Sequence, residues 1–163
     1  MKQTQTRFLA QAALIAALYC VLTYVSALMG LASGAIQLRL SEMLTILPYF
    51  TPAAIPGLFV GCALANLLTG CAVWDIVFGS LATLLGALGT WTLRHKCRYL
   101  ACIPPIISNT VIVPFVLRLV YGVPGSLWYL ALTVLIGEVG ACAILGLFLL
   151  KVLEPHRNTL FPR

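Results

Sequence analysis

Glu138 stands alone in the stretch LTVLIGEVGACAILG, Leu132 to Gly146, inside an apolar run that reaches from Leu127 to Leu150. A carboxylate in the middle of a bilayer-length run costs about 2.5–3.5 kcal/mol even on a lenient insertion scale. It must therefore be protonated, paired with a polar neighbour such as Asn109, or kept for a ligand. The chemistry it offers is recognition: a carboxylate accepts two hydrogen bonds side by side, the mirror image of an arginine fork. The sequence holds three other acids, Glu42, Asp75 and Glu154. Glu154 lies in a basic C-terminal tail and reads as solvated. Glu42 and Asp75 join Arg39, Asn66, Asn109 and Glu138 as the polar groups at or within the apolar segments. Arg39, Glu42, Asn66 and Asp75 fall towards one face, and Asn109 and Glu138 deeper on adjacent helices, which suggests a pocket open to the outside.

Each of these residues also has a structural reading. Arg39 and Glu42 are three apart and can form an i,i+3 ion pair at a helix start. Asp75 follows Trp74 at a helix head, where an acid complements the dipole. Asn66 and Asn109 can tie helices together by hydrogen bonds. Glu138 is the hardest to explain structurally, because no cation in the chain is expected at its depth.

Catalysis finds little support. No nucleophile elbow, zinc-protease motif or paired histidine site is present, and His95 and His156 flank the apolar runs. No phosphate-binding loop of the G-x-x-x-x-G-K-[ST] type occurs, so active transport would need an ion gradient or a partner. The six cysteines, Cys20, Cys62, Cys71, Cys97, Cys102 and Cys142, are scattered singly. They suggest neither a metal site nor a disulfide framework, and no cofactor is expected.

The elements that must position the polar groups follow from composition. Of 163 residues, 61% are hydrophobic and 9% charged, against about 25% charged in a soluble domain. The expectation is one all-α, polytopic membrane domain over residues 1–163, with helices near 8–29, 40–50, 53–68, 76–93, 99–119 and 127–150. The first run is too long for a signal-peptide core of about 7–15 residues. The second and third are short and are not expected to cross at full depth. The fifth contains Pro104, Pro105 and Pro114, expected to bend it and free carbonyls. "GLASGAIQ" after the first helix reads as a loop.

The net charge of +6 reports topology rather than a nucleic-acid partner. Lys2, Arg7, Arg94, Lys96, Arg98, Lys151, Arg157 and Arg163 occupy short flanks on one side when both termini are cytoplasmic, leaving only Arg39 and Arg118 near the other face. That bias gives an N-in, C-in reading. In "LAQAALIAALYC", Ala12 and Ala16, and likewise Ala13 and Ala17, are spaced four apart. Small residues so placed admit another helix closely, either a partner's or one of this chain's own.

The stretch IQLRLSEMLTILPYFTPAAIPGLFVGCALAN, Ile36 to Asn66, resembles the signature region of the queuosine-precursor transporter (QueT) family. DIVFGSLATLLGAL, Asp75–Leu88, and IGEVGACAILGLFLL, Ile136–Leu150, are similar to later segments of the same family, so the likeness covers nearly the whole chain. Its members are substrate-binding S-components of energy-coupling factor (ECF) transporters. The resemblance implies a six-helix S-component-like bundle in a bacterial cytoplasmic membrane, without its own ATPase. It implies a transmembrane coupling protein (T-component) and two ATPase subunits as partners, with the alanine-rich first helix as docking surface. The substrate would be a 7-deazaguanine such as preQ1 or queuine. Its N1–H and 2-amino group suit Glu138, and its O6 suits Asn109 or Arg39. A cationic aminomethyl group suits Asp75 or Glu42, and Trp74 and Trp128 are candidates to stack on the ring. The competing reading is an autonomous secondary transporter or channel with Glu138 as proton relay.

Overall fold

The structure, a computed structural model, describes the backbone of residues 2–31 and 37–161, with side chains from residue 5 onward. The expected Gly30–Gln37 loop therefore lies mostly outside the described residues. Every regular element among those described is helical: α1 (Lys2–Leu28), a 3-10 segment (Leu40–Tyr49), α2 (Ala54–Leu68), α3 (Val73–Leu93), α4 (Ile103–Leu119) and α5 (Leu127–Glu138). A π-helical turn (Val139–Leu145) then leads into α6 (Gly146–Leu153) and a terminal α7 (Arg157–Leu160). Among the described residues, four stretches are long and apolar enough to cross a membrane: Gln5–Leu28, Val73–Leu93, Arg98–Leu119 and Leu127–Leu160. The protein is a multi-pass membrane protein. At 1.5 Å per residue, α2 covers roughly 22 Å against a hydrocarbon core of about 30 Å, so it falls short of a full crossing.

Burial runs in the sense expected of a bundle in lipid. Leu28, Leu119 and Phe148 point outward, whereas Ser26, Asn66, Thr83, Thr90 and Asn109 are buried. Polar side chains left in hydrocarbon would be unsatisfied, so they turn inward and tie helices together. Thr90, for example, donates from its hydroxyl to the Ala101 carbonyl at 2.7 Å, fastening α3 to the turn before α4.

The 40–50 helix is present but wound as a 3-10 rather than an α-helix. Seven of its ten residues are buried, among them Ser41, Glu42, Thr45 and Pro48. It passes through the bundle, packing against α1, α3, α6 and the π turn. Ten residues is long for this tight winding, and neighbouring side chains support it. The Leu40 N–H donates to Ser26 Oγ at 2.9 Å, the Thr23 hydroxyl to Ser41 Oγ at 2.8 Å, and the Thr45 hydroxyl to the Glu42 carbonyl at 2.6 Å.

The prolines of the fifth span need correction. Pro104 and Pro105 occupy the first turn of α4, and only Pro114 is interior. First-turn N–H groups have no intrahelical partner, so the first two start the helix instead of breaking it.

α1 and α2 approach so closely that side chains are excluded between them. A Cβ on Gly57 would lie 2.7 Å from the Ala12 carbonyl oxygen, and one on Gly61 would lie 2.9 Å from Ala16 Cα and Tyr19 Cβ. The four-residue spacing of small residues on both helices makes this contact.

Candidate functional site

Helices α2 to α5, the 3-10 segment and residues 37–39 before it converge on a small cavity of about 30 Å3, whose polar lining is Gln37, Arg39, Glu42, Thr83, Asn109 and Glu138. Helical spacing explains the choice on α3. Asp75, Gly79 and Thr83 recur every four residues and share its buried face, as i,i+4 residues do. On α5, Leu130, Thr133, Val134, Gly137 and Glu138 form the inward stripe.

Glu42 is the hub. Its Oε1 accepts from the Tyr19 hydroxyl, and its Oε2 accepts from Asn109 Nδ2 at 3.3 Å. Asn109 and Glu138 line the same cavity. Glu138 Oε2 accepts from the Cys142 thiol at 3.2 Å, one helical turn on. Cys142 in turn meets the Thr45 hydroxyl at 3.4 Å.

A second network adjoins the first. Arg39 Nη1 donates to Asn66 Oδ1 at 3.4 Å, and Arg39 Nη2 lies 4.0 Å from Asp75 Oδ2. Asn66 Nδ2 donates to the Asp75 carbonyl at 3.4 Å. The Tyr121 hydroxyl donates to Asp75 Oδ2 at 2.9 Å and accepts from the Ala72 N–H at 3.1 Å. With all three carboxyl groups ionised, Arg39 against Glu42, Asp75 and Glu138 leaves a formal charge of −2 (+1 − 3).

Two expectations change here. Glu42 is not a shallow group set apart from Glu138: donor atoms of Glu42, Glu138 and Cys142 lie within 4.8 Å of one another. The inserted 3-10 segment carries Glu42 down to that level. Arg39 lines the same cavity, so Glu138 has a cation at its depth after all. Arg39 pairs across the bundle with Asp75, not with Glu42 at i,i+3. The Glu42, Glu138 and Cys142 set mixes hard oxygens with a soft thiol, a combination that favours no particular metal.

The tryptophans stay outside. Trp74 is 60% exposed and Trp128 86% exposed, and Trp74 stacks on Phe78 with centroids 5.9 Å apart. Residues 74 and 78 are on the outer face of α3, beside the inward positions 75 and 79. Tyr19 is the site residue that sequence reasoning missed. The available signal was a tyrosine on the same stripe as Ala12 and Ala16, 1% exposed in the fold.

The four alanines divide. Ala12 and Ala16 pack against Gly57 and Gly61 inside the chain, while Ala13 and Ala17 are exposed. α2 packs on Ala12 and Ala16, so the exposed face that α1 offers a partner is that of Ala13 and Ala17. Ala16→Leu is expected to destabilise the fold by about 1–3 kcal/mol through overpacking, read as a lower melting temperature; an unchanged melting point would mean the α1–α2 contact is looser than described.

Gly137 matters for the same reason. Its Cβ position falls on the Gln37 carbonyl, so only glycine lets the non-helical 37–39 strap lie on α5 beside Glu138. Gly137→Ala is expected to lift the strap and lower the melting temperature, a cost of about 1–3 kcal/mol.

Ionisable side chains gathered around a cavity inside a helical membrane bundle are the usual mark of a functional site in such proteins. The chain belongs to the QueT transporter family, whose model matches residues 9–155; this is a family of transporters, not of enzymes. A protein named queuosine precursor transporter QueT, from Lactococcus lactis subsp. cremoris (strain MG1363), is 36% identical over 85 residues, 52% of this chain and 50% of the relative. The chain thus spans about half the length of that relative in the matched region. No solved structure matches.

Proposed function

We propose that this chain is the substrate-binding S-component of an ECF-type importer that captures a queuosine precursor, a 7-deazaguanine such as preQ1 or queuine, from outside the cell. The observation that carries this reading is the convergence of Glu138, Glu42, Asn109 and Arg39 on one cavity, together with the relative's name. Glu138 accepts the N1–H and 2-amino donors of the guanine-like edge, and Asn109 or Arg39 donates to O6. Glu42 and Asp75 supply negative charge for a cationic aminomethyl group, which the formal charge of the site favours. Both termini face the cytoplasm, by the distribution of basic residues. The cavity has room for a water or two, so a bicyclic base enters only as the site opens. The 37–39 strap is the natural moving wall, being the one lining segment outside a helix among the described residues.

The test is thermal stabilisation of the detergent-purified protein across purines and 7-deazapurines. A rise confined to compounds with the N1–H and 2-amino edge, largest for the aminomethyl compound, supports the assignment. Equal response to adenine-type edges contradicts it.

Energy would come from a T-component and two ATPase subunits, docked on the exposed alanine face of α1. Ala13→Leu and Ala17→Leu are each expected to abolish uptake in cells while leaving ligand affinity of the isolated protein within about twofold, since a bulky residue blocks close helix approach. Parallel loss of affinity would show instead that these alanines support the pocket.

A further inference from the structure

A second cavity, of about 330 Å3, opens at the other end of the bundle. Helix α3 serves both: Gly79 and Thr83 line the first site, and Trp91 and Arg94 the second. From residue 79 to residue 94 is roughly 22 Å along a helix at 1.5 Å per residue.

The charged wall of this second cavity is Arg94, His95 and Arg157. No carboxylate lines it among the described residues. Of the chain's four acids, Glu42, Asp75 and Glu138 belong to the first site, and Glu154 is held by Arg98 at 3.0 Å. Arg94 lies over the Trp91 ring at 3.3 Å from its centroid, and Arg157 is 5.9 Å from the Tyr49 centroid, at the outer edge of cation–π range. A guanidinium held by its face keeps its in-plane N–H edges for an acceptor; Arg94 uses one of them on the Trp91 carbonyl at 2.6 Å. The wall opposite is fixed as well. Gln11 Nε2 donates to the Leu160 carbonyl at 3.2 Å and Gln11 Oε1 accepts from the Thr51 hydroxyl at 3.1 Å, while Phe50 and Phe161 stack at 5.3 Å. A basic flank that serves only to orient the chain needs charge in the right loop, but neither a cavity nor an arginine laid over a ring.

We propose that this cavity binds a phosphate group, presented by the headgroup of an anionic phospholipid or by a small soluble phosphorylated compound. Two guanidinium forks and an imidazole, uncompensated by any lining acid, suit a tetrahedral oxyanion that accepts several charge-assisted hydrogen bonds. The cavity is at the end of a spanning helix, the level at which lipid phosphates meet basic side chains.

The test uses the purified full chain in neutral detergent. Melting is followed while inorganic phosphate, phosphatidylglycerol or zwitterionic phosphatidylcholine is titrated separately. A saturable rise with inorganic phosphate supports a soluble source, and a rise with phosphatidylglycerol alone supports the headgroup. Either response should weaken about tenfold in Arg94→Gln and in Arg157→Gln. It should persist in Arg98→Gln, which removes the same charge nearby but outside the cavity. Should an arginine variant fail to fold, Trp91 emission reports instead, in a Trp74→Phe, Trp128→Phe background with both arginines intact. It should change with the same midpoint as the melting response. No saturable response to either anionic probe, equal weakening by Arg98→Gln, or Trp91 emission indifferent to the probe overturns the proposal.

Discussion

Glu138→Gln is expected to weaken deazaguanine binding by more than a hundredfold while leaving the protein as stable as before, or more so. The side chain keeps its size, but one acceptor oxygen becomes a donor facing the ligand's own donors. Losing a charge-assisted pair and stranding a buried donor costs about 3 kcal/mol or more, which is the hundredfold. Stability moves the other way because Glu138 and Glu42 share a confined space, and neutralising one acid removes both like-charge repulsion and a desolvated carboxyl. Affinity and melting temperature, measured on the same preparation, check both halves. Affinity retained within about threefold, a difference under 1 kcal/mol, would remove Glu138 from the base-reading role.

Arg39→Gln has the opposite signature: it is expected to damage the fold itself. Arg39 is the lining residue with a permanent positive charge, and it faces Asp75 at 4.0 Å with Glu42 beside the same cavity. Removing it leaves three buried acids without their counter-charge. Breaking a buried ion pair from one side costs about 3–5 kcal/mol, and the partial exposure of Arg39, 24% of its side chain, places the expectation at the lower end. Arg39→Lys should recover part of the loss, since charge is kept but the planar fork that reaches both Asn66 and Asp75 is not. Melting temperatures of the three proteins decide it. A glutamine variant as stable as the wild type would show that the acids are balanced by protonation rather than by Arg39.

Much of this site was legible because polar residues are conspicuous in an apolar chain. Glu138 and Asn109 stand out by their surroundings alone, and Arg39, Glu42, Asn66 and Asp75 by their scarcity. The helices were legible for the complementary reason, since runs of bilayer length leave few alternatives. Depth was not legible. Glu42 reads as a helix-start acid near one face, yet the buried 3-10 segment carries it to Glu138, and no local pattern announces a segment that inserts between other helices. Tyr19 escaped notice because a tyrosine is ordinary in a spanning helix until the fold shows what its hydroxyl touches. Trp74 was misleading in the reverse sense: adjacency to Asp75 in sequence puts it about 100° around the helix, on the lipid side.

The two readings of Glu138, base recognition in a binding subunit and proton relay in an autonomous carrier, make different demands on the protein alone. The first needs tight binding without flux; the second needs flux into vesicles containing this chain and nothing else. Equilibrium titration of the purified chain with preQ1, free of any other subunit, tests the central claim most directly. Saturable one-to-one binding, competed by 7-deazaguanines and lost in Glu138→Gln, is the predicted result; a wild-type chain that folds but takes up no preQ1 at any workable concentration would contradict it.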